Sequence, residues 1–500
     1  MIRVTLLLLF CLFLVVYAWK DWYKSLCGLI LLVAVIQHPD MPKTLLGIQG
    51  INPWNLVLLA SVLAWAAAAG REHLRWDMPR IVTFFLLTYL VVIVSSFARM
   101  MLAGGAVSPK LVGETTAYAT SEYLINNIKY ALPGILLFHG CRTEARFRMG
   151  LWACLGIYFL LALQVIRWMP LSAAVSGEEL ANLSLKLLSN EVGFHRVNLS
   201  MMLAGASWAI FSTRPLASGR GRMFLITLAS LIVLFGQALT AGRTGYVTFL
   251  AVGLILCLAR WRKYLLVMPV AVIAMVVLVP GAKERLTQGF TPGTVDTNVR
   301  AEAMDETVAG GDAYTITAGR NVAWPFVIDK IGESPVVGYG RQAMLKTGLG
   351  LFIWRQFGEV FPHPHNAYLE LLLDNGFLGF FMVIPFYVLV LKYAFSLFRD
   401  SRDPTYVAIG GTACALVLAL LFAAMGSQTF YPREGAVGMW CAIGLMLRVY
   451  VQRARRQAQP SSQESKKAEQ WWPEAAPAPA PTGELWPDPA REDVAQEVAP

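Results

Sequence analysis

Long apolar runs recur along almost the whole chain and are separated by short polar segments. Thirteen runs can be distinguished, at residues 4–19, 24–37, 53–70, 80–99, 123–139, 149–169, 197–213, 222–238, 245–260, 264–280, 367–391, 405–424 and 434–450. Most are about 16–22 residues long, the length that a helix needs to cross the hydrocarbon core of a membrane. The pattern predicts an all-α polytopic membrane protein with about 12–13 transmembrane helices. Twelve spans stays open because the first two runs are short.

The composition agrees with a membrane protein. Hydrophobic residues make up 56% of the chain, charged residues only 15%, and the mean hydropathy is +0.53. Soluble domains have about 45–50% apolar and about 25% charged residues. The net charge of +10 is explained by arginines in the loops, and no basic helix interleaved with aromatic residues indicates a nucleic-acid partner.

The connections between runs alternate in their content of lysine and arginine. One set of connections carries about 21 basic residues and the other about 10, so the richer set is predicted to face the cytoplasm. This assignment puts the C-terminus in the cytoplasm and the long connection at 281–366 on the opposite side. At about 85 residues that connection is too long for a plain linker and is expected to have structure or function of its own.

Four regions follow from this reading. Residues 1–280 hold the first ten candidate spans, 281–366 form the large periplasmic loop with short helices, and 367–452 hold the last three spans. The tail at 453–500 is rich in Ala, Pro, Ser, Gln and acidic residues and is predicted to be a disordered cytoplasmic segment. Its tryptophans offer contacts for envelope-assembly proteins, although a passive tail is the simpler interpretation.

Two arginines stand at glycine-marked positions. Arg243 lies in G-R-T-G at 242–245, between two apolar runs. A cation at the membrane boundary indicates a functional role. The alternative is an arginine whose side chain only extends to the lipid headgroups. Arg320 lies in A-G-R-N-V-A-W at 318–324 and opens a predicted helix in the long loop. An ordinary surface arginine is the alternative for this position.

Histidines concentrate where the long loop returns to the membrane. The protein has six histidines, and His363 and His365 lie two positions apart, just before a predicted helix. An imidazole near a helix N-terminus is kept neutral by the local positive potential and can accept a proton. A zinc site would need a third ligand, for which only Glu359 is near in sequence, so no metal is predicted.

Together these residue types indicate chemistry on a phosphorylated substrate. The planar guanidinium fork donates two parallel hydrogen bonds to phosphate, so Arg243 and Arg320 suit a diphosphate leaving group. His365 would take the proton from an incoming hydroxyl. The long loop has no Walker motif and no acidic cluster for Mg²⁺, which argues against nucleotide donors and against any cofactor.

The motifs resemble those of the O-antigen ligase and polymerase superfamily of bacterial membrane glycosyltransferases. The resemblance rests on G-R-T-G at 242–245, on G-R at 319–320 with G-Y-G at 338–340, and on H-N-A-Y-L at 365–369 followed by Gly376. It implies a metal-independent, inverting transfer of a glycan from undecaprenyl pyrophosphate at the periplasmic face of the inner membrane. By this analogy Arg243 and Arg320 contact the pyrophosphate and His365 activates the acceptor hydroxyl.

Several neighbouring residues are secondary candidates for substrate binding: Arg196, His363, Asn366, Arg341 and Glu370. Arg196 begins another helix on the same side, but a simple boundary arginine is equally compatible with the sequence. Glu370 lies one turn beyond Asn366 and would either orient the site or pair with a neighbour. His363 has no firm counterpart in the family pattern.

Other functions remain open from the sequence. The acceptor is a lipid A core, a growing polysaccharide or a protein hydroxyl, and nothing in the sequence separates the three. A transporter or flippase for lipid-linked glycans is the main alternative, although no internal repeat is found. A scaffold or sensor in an envelope complex is the third class, and it leaves the His365 motif unexplained.

Overall fold

The computed structural model describes residues 2–45, 47, 50–102, 115–266, 268–288, 317, 319–358, 361–426 and 429–458. Within these ranges the chain forms helices and connecting turns, with no β-strand. The all-α polytopic fold class predicted from the apolar runs is therefore confirmed. Disorder is predicted for the tail at 453–500. Residues beyond 458 lie outside the described part of the chain, so for them disorder stays a prediction.

Helices are numbered here in chain order. They are α1 Ile2–Tyr17, α2 Trp22–Leu31, α3 Pro53–Ala69, α4 Arg80–Leu102, α5 Thr116–Thr120, α6 Asn126–Lys129, α7 Leu132–Gly140, α8 Glu144–Trp168, α9 Gly177–Leu187, α10 Arg196–Phe211, α11 Arg220–Ala238, α12 Arg243–Ala259, α13 Met268–Leu278, α14 Pro280–Thr287, α15 Arg320–Glu333, α16 Ala343–Lys346, α17 Leu349–Phe357, α18 Ala367–Phe398, α19 Pro404–Ala423 and α20 Val437–Ala458.

Six helices in the described residues are long and apolar enough to cross a membrane: α4, α8, α11, α18, α19 and the span Glu434–Gln457 that contains α20. A seventh candidate, Arg262–Leu278 with Pro280–Thr287, is bent by 105° at its break. Shorter apolar helices are α1, the stretch Trp22–Val35, α3 and α12. All thirteen apolar runs fall largely in helix, and the total of 12–13 spans stays a prediction.

Helix α19 lies at the centre of the bundle. In its apolar window 83% of the residues are buried inside the protein, against 28% for α4. Helices α10, α12, α18 and α20 pack around it. Because α10, α12 and α18 all begin at the same side of this bundle, that side is called the loop end below, and the other side the opposite end.

The described part of the long loop has a small apolar core of its own. Its members come from α15, α16, α17, the start of α18 and the segment between α17 and α18: Ala323, Val327, Ile331, Ala343, Met344, Leu349, Ile353, Leu373 and, from that segment, Phe361. Since Leu373 belongs to α18, this core is attached to the loop end of the bundle. Such an attachment gives the loop a fixed position over the helices.

A break in α18 makes this attachment rigid. Gly376 interrupts the helix with φ +60° and ψ −168°. The loop segment 335–340 supplies the missing hydrogen bonds: the amides of residues 339 and 340 donate to the carbonyls of 373 and 374, and the amides of 377 and 378 donate to the carbonyls of 335 and 336. The G-Y-G motif and Gly376 are therefore two halves of one backbone junction.

Replacing Gly376 with alanine is expected to destabilise the protein. A Cβ there would lie 2.3 Å from the carbonyl carbon of Val336, and the left-handed conformation of a non-glycine residue costs about 1–2 kcal/mol. The melting temperature of the purified protein should fall. Gly332→Ala is the matched control, because a Cβ at this helical glycine meets no atom within 4 Å; equal melting temperatures for both variants would contradict the junction.

Candidate active site

Arg243 is the first residue of α12, and a close contact with α10 fixes its position. Ser200 of α10 donates its hydroxyl to the carbonyl of Gly242 at 3.0 Å. A Cβ on Gly245 would lie 2.0 Å from the Ser200 hydroxyl oxygen, so only glycine permits this approach. The Arg243 guanidinium donates to the carbonyl of Gln288 at 3.4 Å. The two glycines of the motif thus serve to hold Arg243 at the loop end.

Arg320 is the first residue of α15 and faces Arg243. Gly319 before it adopts a left-handed conformation, with φ +74°, that turns the chain into the helix. Burial lowers the pKa of Arg320, and the charge of Arg243 lowers it further. Among the described residues no carboxylate pairs with Arg320. Two neighbouring guanidinium groups whose charges repel each other form a site suited to a polyanion.

His365 lies immediately before α18, held by contacts from two sides. Its backbone has φ +51°. Trp324 of α15 donates its indole N–H to the carbonyl of Pro364 at 2.9 Å, which links the helix of Arg320 to the histidine loop. The imidazole rings of His363 and His365 are 4.1 Å apart between centroids. Asn366 caps α18, since its side-chain oxygen accepts from the amides of Tyr368 and Leu369.

The His365 imidazole is held neutral. Burial first, then the charges of His363 and Arg320, lower the pKa of His365 from 6.5 to about 3, although Glu370 acts in the other direction. Burial is also the main cause of a lowered pKa at His363. A neutral imidazole near the Arg320 guanidinium can accept a proton once an anion has offset that charge.

This shift predicts how acid affects stability. The unfolded chain protonates His365 near pH 6.5, whereas the folded chain does so only near pH 3. Stability should therefore fall as the pH drops from about 7 towards 4. Melting temperatures between pH 7 and pH 5 should decline less for His365→Ala than for the wild type. His73→Ala, at an exposed position, should leave the decline unchanged; an unaltered slope in both variants would contradict a neutral, buried His365.

Arg341 and Glu370 form a buried ion-pair cluster next to the histidines. Arg341 Nη1 lies 2.6 Å from Glu370 Oε1 and 3.0 Å from Asp374 Oδ2. Burial would lower the pKa of Arg341, but the two carboxylates raise it well above its usual value. The Tyr431 hydroxyl also donates to Asp374 at 3.0 Å. These contacts give Arg341 and Glu370 a structural role beside the histidines. Direct binding of substrate by either residue stays a prediction.

Arg196 begins α10 at the same loop end and donates to the carbonyl of Ala181 at 3.3 Å. The structure thus brings Arg243, Arg320, His363 and His365 into one electrostatically connected group. The roles of Arg196, His363 and Asn366 on a substrate stay predictions.

Three basic residues near the candidate site were missed as candidates in the sequence. His195, before α10, contributes to the lowered pKa of His365, and Arg433 to that of His363. Arg285 of α14 is 4% exposed and donates to the side-chain oxygen of Gln288, and the backbone carbonyl of Gln288 accepts from Arg243. Arg285 follows an apolar run directly, and the rule for boundary cations, applied there, would have found it.

An apolar pocket lies beside this group, between α10, α19 and α20. It is lined by Phe194, Met201, Met202, Leu420 and Ala423, with Tyr431 and Arg433 at its polar end. Methionine side chains adapt to irregular apolar ligands. The pocket joins a charged site to a surface suited to a hydrocarbon chain.

Metal ligands do not cluster in the described part of the chain: no group of three His, Cys, Asp or Glu residues there could hold an ion. Glu359, considered above as a third ligand, lies outside the described residues. Metal independence is therefore a prediction that needs its own test.

Residues 228–384 match the family model described as O-antigen ligase. The matched segment contains Arg243, Arg320, Arg341 and the histidine motif with Glu370, while Arg196 precedes it. No protein of curated function matches the chain. The resemblance noted in the motifs is confirmed by this match: residues 228–384 are similar to the O-antigen ligase family.

Proposed function

We propose that the protein is a membrane glycosyltransferase that moves a glycan from undecaprenyl pyrophosphate to an acceptor hydroxyl. The proposal rests on one observation: Arg243, Arg320 and a neutral His365 lie at the same end of the helical bundle. All three residues lie inside the segment that matches the O-antigen ligase model. Lipid-linked glycans are the substrates that this family implies.

The two arginines hold the diphosphate. Each guanidinium donates hydrogen bonds to phosphate oxygens, and the bond from the anomeric carbon to the diphosphate breaks with its electron pair moving to the leaving group. Because charge builds up on the leaving oxygen in the transition state, this contact accelerates the reaction and does not merely bind the donor.

His365 takes the proton of the acceptor hydroxyl as the new bond to the anomeric carbon forms. In the empty site its pKa of about 3 makes it a weak base. The bound diphosphate offsets the charge of Arg320 and so raises the pKa of the imidazole. The base therefore becomes effective only after the donor has arrived.

The end of the undecaprenyl chain nearest the diphosphate lies against the pocket between α10, α19 and α20, and the rest of the chain lies in the bilayer. The apolar part of the lining, from Met201, Met202 and Leu420, supports this placement. On this proposal the loop end lies at the periplasmic face of the bacterial inner membrane and the C-terminus in the cytoplasm. The excess of lysine and arginine in the connections of the opposite end supports that orientation.

Proteoliposomes containing the purified protein distinguish transfer from transport. They are loaded with undecaprenyl-pyrophosphate glycan and supplied in turn with lipid A core, an oligosaccharide and a hydroxyl-bearing peptide, and the products are weighed by mass spectrometry. A transferase gives a new covalent product with one of these acceptors. Movement of intact donor across the bilayer without any product would instead establish a flippase.

Chelation tests the metal-free mechanism. Treatment of the purified protein with EDTA, followed by removal of the chelator, should leave the transfer rate unchanged, since two guanidinium groups supply the charge stabilisation that a metal ion otherwise gives. A rate that disappears with EDTA and returns with Mg²⁺, Mn²⁺ or Zn²⁺ would contradict the prediction.

A further inference from the structure

A second cationic pocket lies at the opposite end of the bundle. Helices α10 and α12 begin at the candidate site and run about 24 Å, at 1.5 Å per residue, before they end. Where they end, an open pocket of about 580 Å³ is lined by Phe211, Arg214, Pro215, Met223, Arg260, Trp261, Lys263, Tyr264, Ser401 and Val407. It is therefore separate from the group around Arg243.

The pocket has three cations and no carboxylate among its lining residues. Arg214 donates to the Tyr264 hydroxyl at 3.0 Å and stacks on Phe211 with 4.7 Å to the ring centroid. The Nε of Arg214 is buried and has no hydrogen-bond partner among the described residues. Arg260 donates to the carbonyl of Arg399 and to the Ser401 hydroxyl. Part of the hydrogen-bonding capacity of both guanidinium groups is left for a ligand.

Other arginines at this end each contact a carboxylate within the protein, although several share one. Arg142, Arg448 and Arg455 pair with Asp77, Arg402 and Arg453 pair with Asp400, and Arg146 pairs with Glu72. No such pair forms at Arg214, Arg260 or Lys263 in the part of the chain that the structure describes. Charges left unpaired in a concave site are suited to an anion supplied from outside.

The surroundings of the pocket are those of a membrane interface. Trp261 and Tyr264 contact the ring of Phe211 edge-on, with centroids 5.2 and 5.4 Å away, and such aromatic residues concentrate at the level of lipid headgroups. Beside Met223, the α11 residues Phe224 and Leu225 are 66% and 61% exposed. An anion bound in the pocket thus lies beside an exposed apolar surface on α11 that also favours acyl chains.

We propose that this pocket binds the phosphodiester headgroup of an anionic phospholipid, with the acyl chains lying against the exposed face of α11. The guanidinium groups of Arg214 and Arg260 contact the phosphate, and Lys263 adds a third charge. Such a lipid ties together the ends of α10, α12 and α19, the first two of which carry Arg196 and Arg243 at their other ends.

Native mass spectrometry of the full-length protein in detergent tests this. Dioleoyl phosphatidylglycerol should remain bound at concentrations where dioleoyl phosphatidylcholine does not. The double variant Arg214→Gln/Arg260→Gln should weaken binding at least tenfold. Arg220→Gln/Arg222→Gln is the control, since it removes two charges from the start of α11 outside the pocket; an equal loss in the control would overturn the proposal in favour of a diffuse charge effect.

Two further measurements complete the test. Inorganic phosphate at millimolar concentration should not displace the lipid; displacement, or equal binding of phosphate alone, would overturn the assignment to a membrane lipid. If the double variant does not fold, Lys263→Gln, at an exposed position, is measured instead. It should still weaken phosphatidylglycerol binding, by about threefold, and undiminished binding there would contradict the proposal.

Discussion

Replacing His365 with alanine is expected to lower the rate of glycan transfer roughly 100- to 10,000-fold, the range found for loss of a general base. On this proposal the imidazole is the proton acceptor for the incoming hydroxyl. The rate should be measured with purified protein and saturating undecaprenyl-pyrophosphate glycan. Donor binding should change little, because the arginines remain.

His363→Ala and His73→Ala serve as controls for this variant. The first keeps His365 while removing the ring 4.1 Å away, and a smaller loss is expected, since His363 affects the reaction through its neighbour. The second changes an exposed histidine away from the site and should leave the rate unaltered. A His365→Ala protein that transfers glycan at a near-normal rate would falsify the proposed role of the imidazole.

Arg243→Lys and Arg320→Lys are each expected to lower the transfer rate by roughly 100- to 1,000-fold, as for the loss of a donor that stabilises transition-state charge. Lysine keeps the charge but presents it as a point, so the two parallel hydrogen bonds to phosphate are lost. The effect should appear in kcat, since the contact strengthens as the leaving group gains charge. Arg222→Lys, at the opposite end, is the matched control.

The double variant Arg243→Lys/Arg320→Lys tests whether both groups act on one diphosphate. If they do, the combined loss is smaller than the product of the two single losses, because each single variant already disturbs the same contact. Losses that multiply without interaction would indicate two separate sites, contrary to the electrostatic contact between these arginines.

The apolar periodicity of the chain was sufficient to predict the helices, but not the break in α18. Residues 367–391 read as one apolar helix, and Gly376 within it could equally be a packing contact. The break depends on hydrogen bonds from segment 335–340, about 40 residues away. Spacing in sequence carries no information about such a pairing, although G-Y-G and Gly376 were both noted as motif positions.

The site was predictable where residue chemistry is unusual for its position. Arg243 between apolar runs and two histidines before a helix stand out for that reason. The partnership of Arg341 with Glu370, 29 positions apart, was not predictable, because an ion pair across the fold has no local pattern. Arg285 was missed since it belongs to no motif, although it lies near the end of an apolar run.

A structure of the purified protein with undecaprenyl pyrophosphate would show most directly where the diphosphate binds. We expect phosphate oxygens within about 3 Å of the guanidinium groups of both Arg243 and Arg320, with the His365 imidazole open to the acceptor side. Diphosphate bound out of reach of either arginine, or with His365 turned away from it, would contradict the proposed active site.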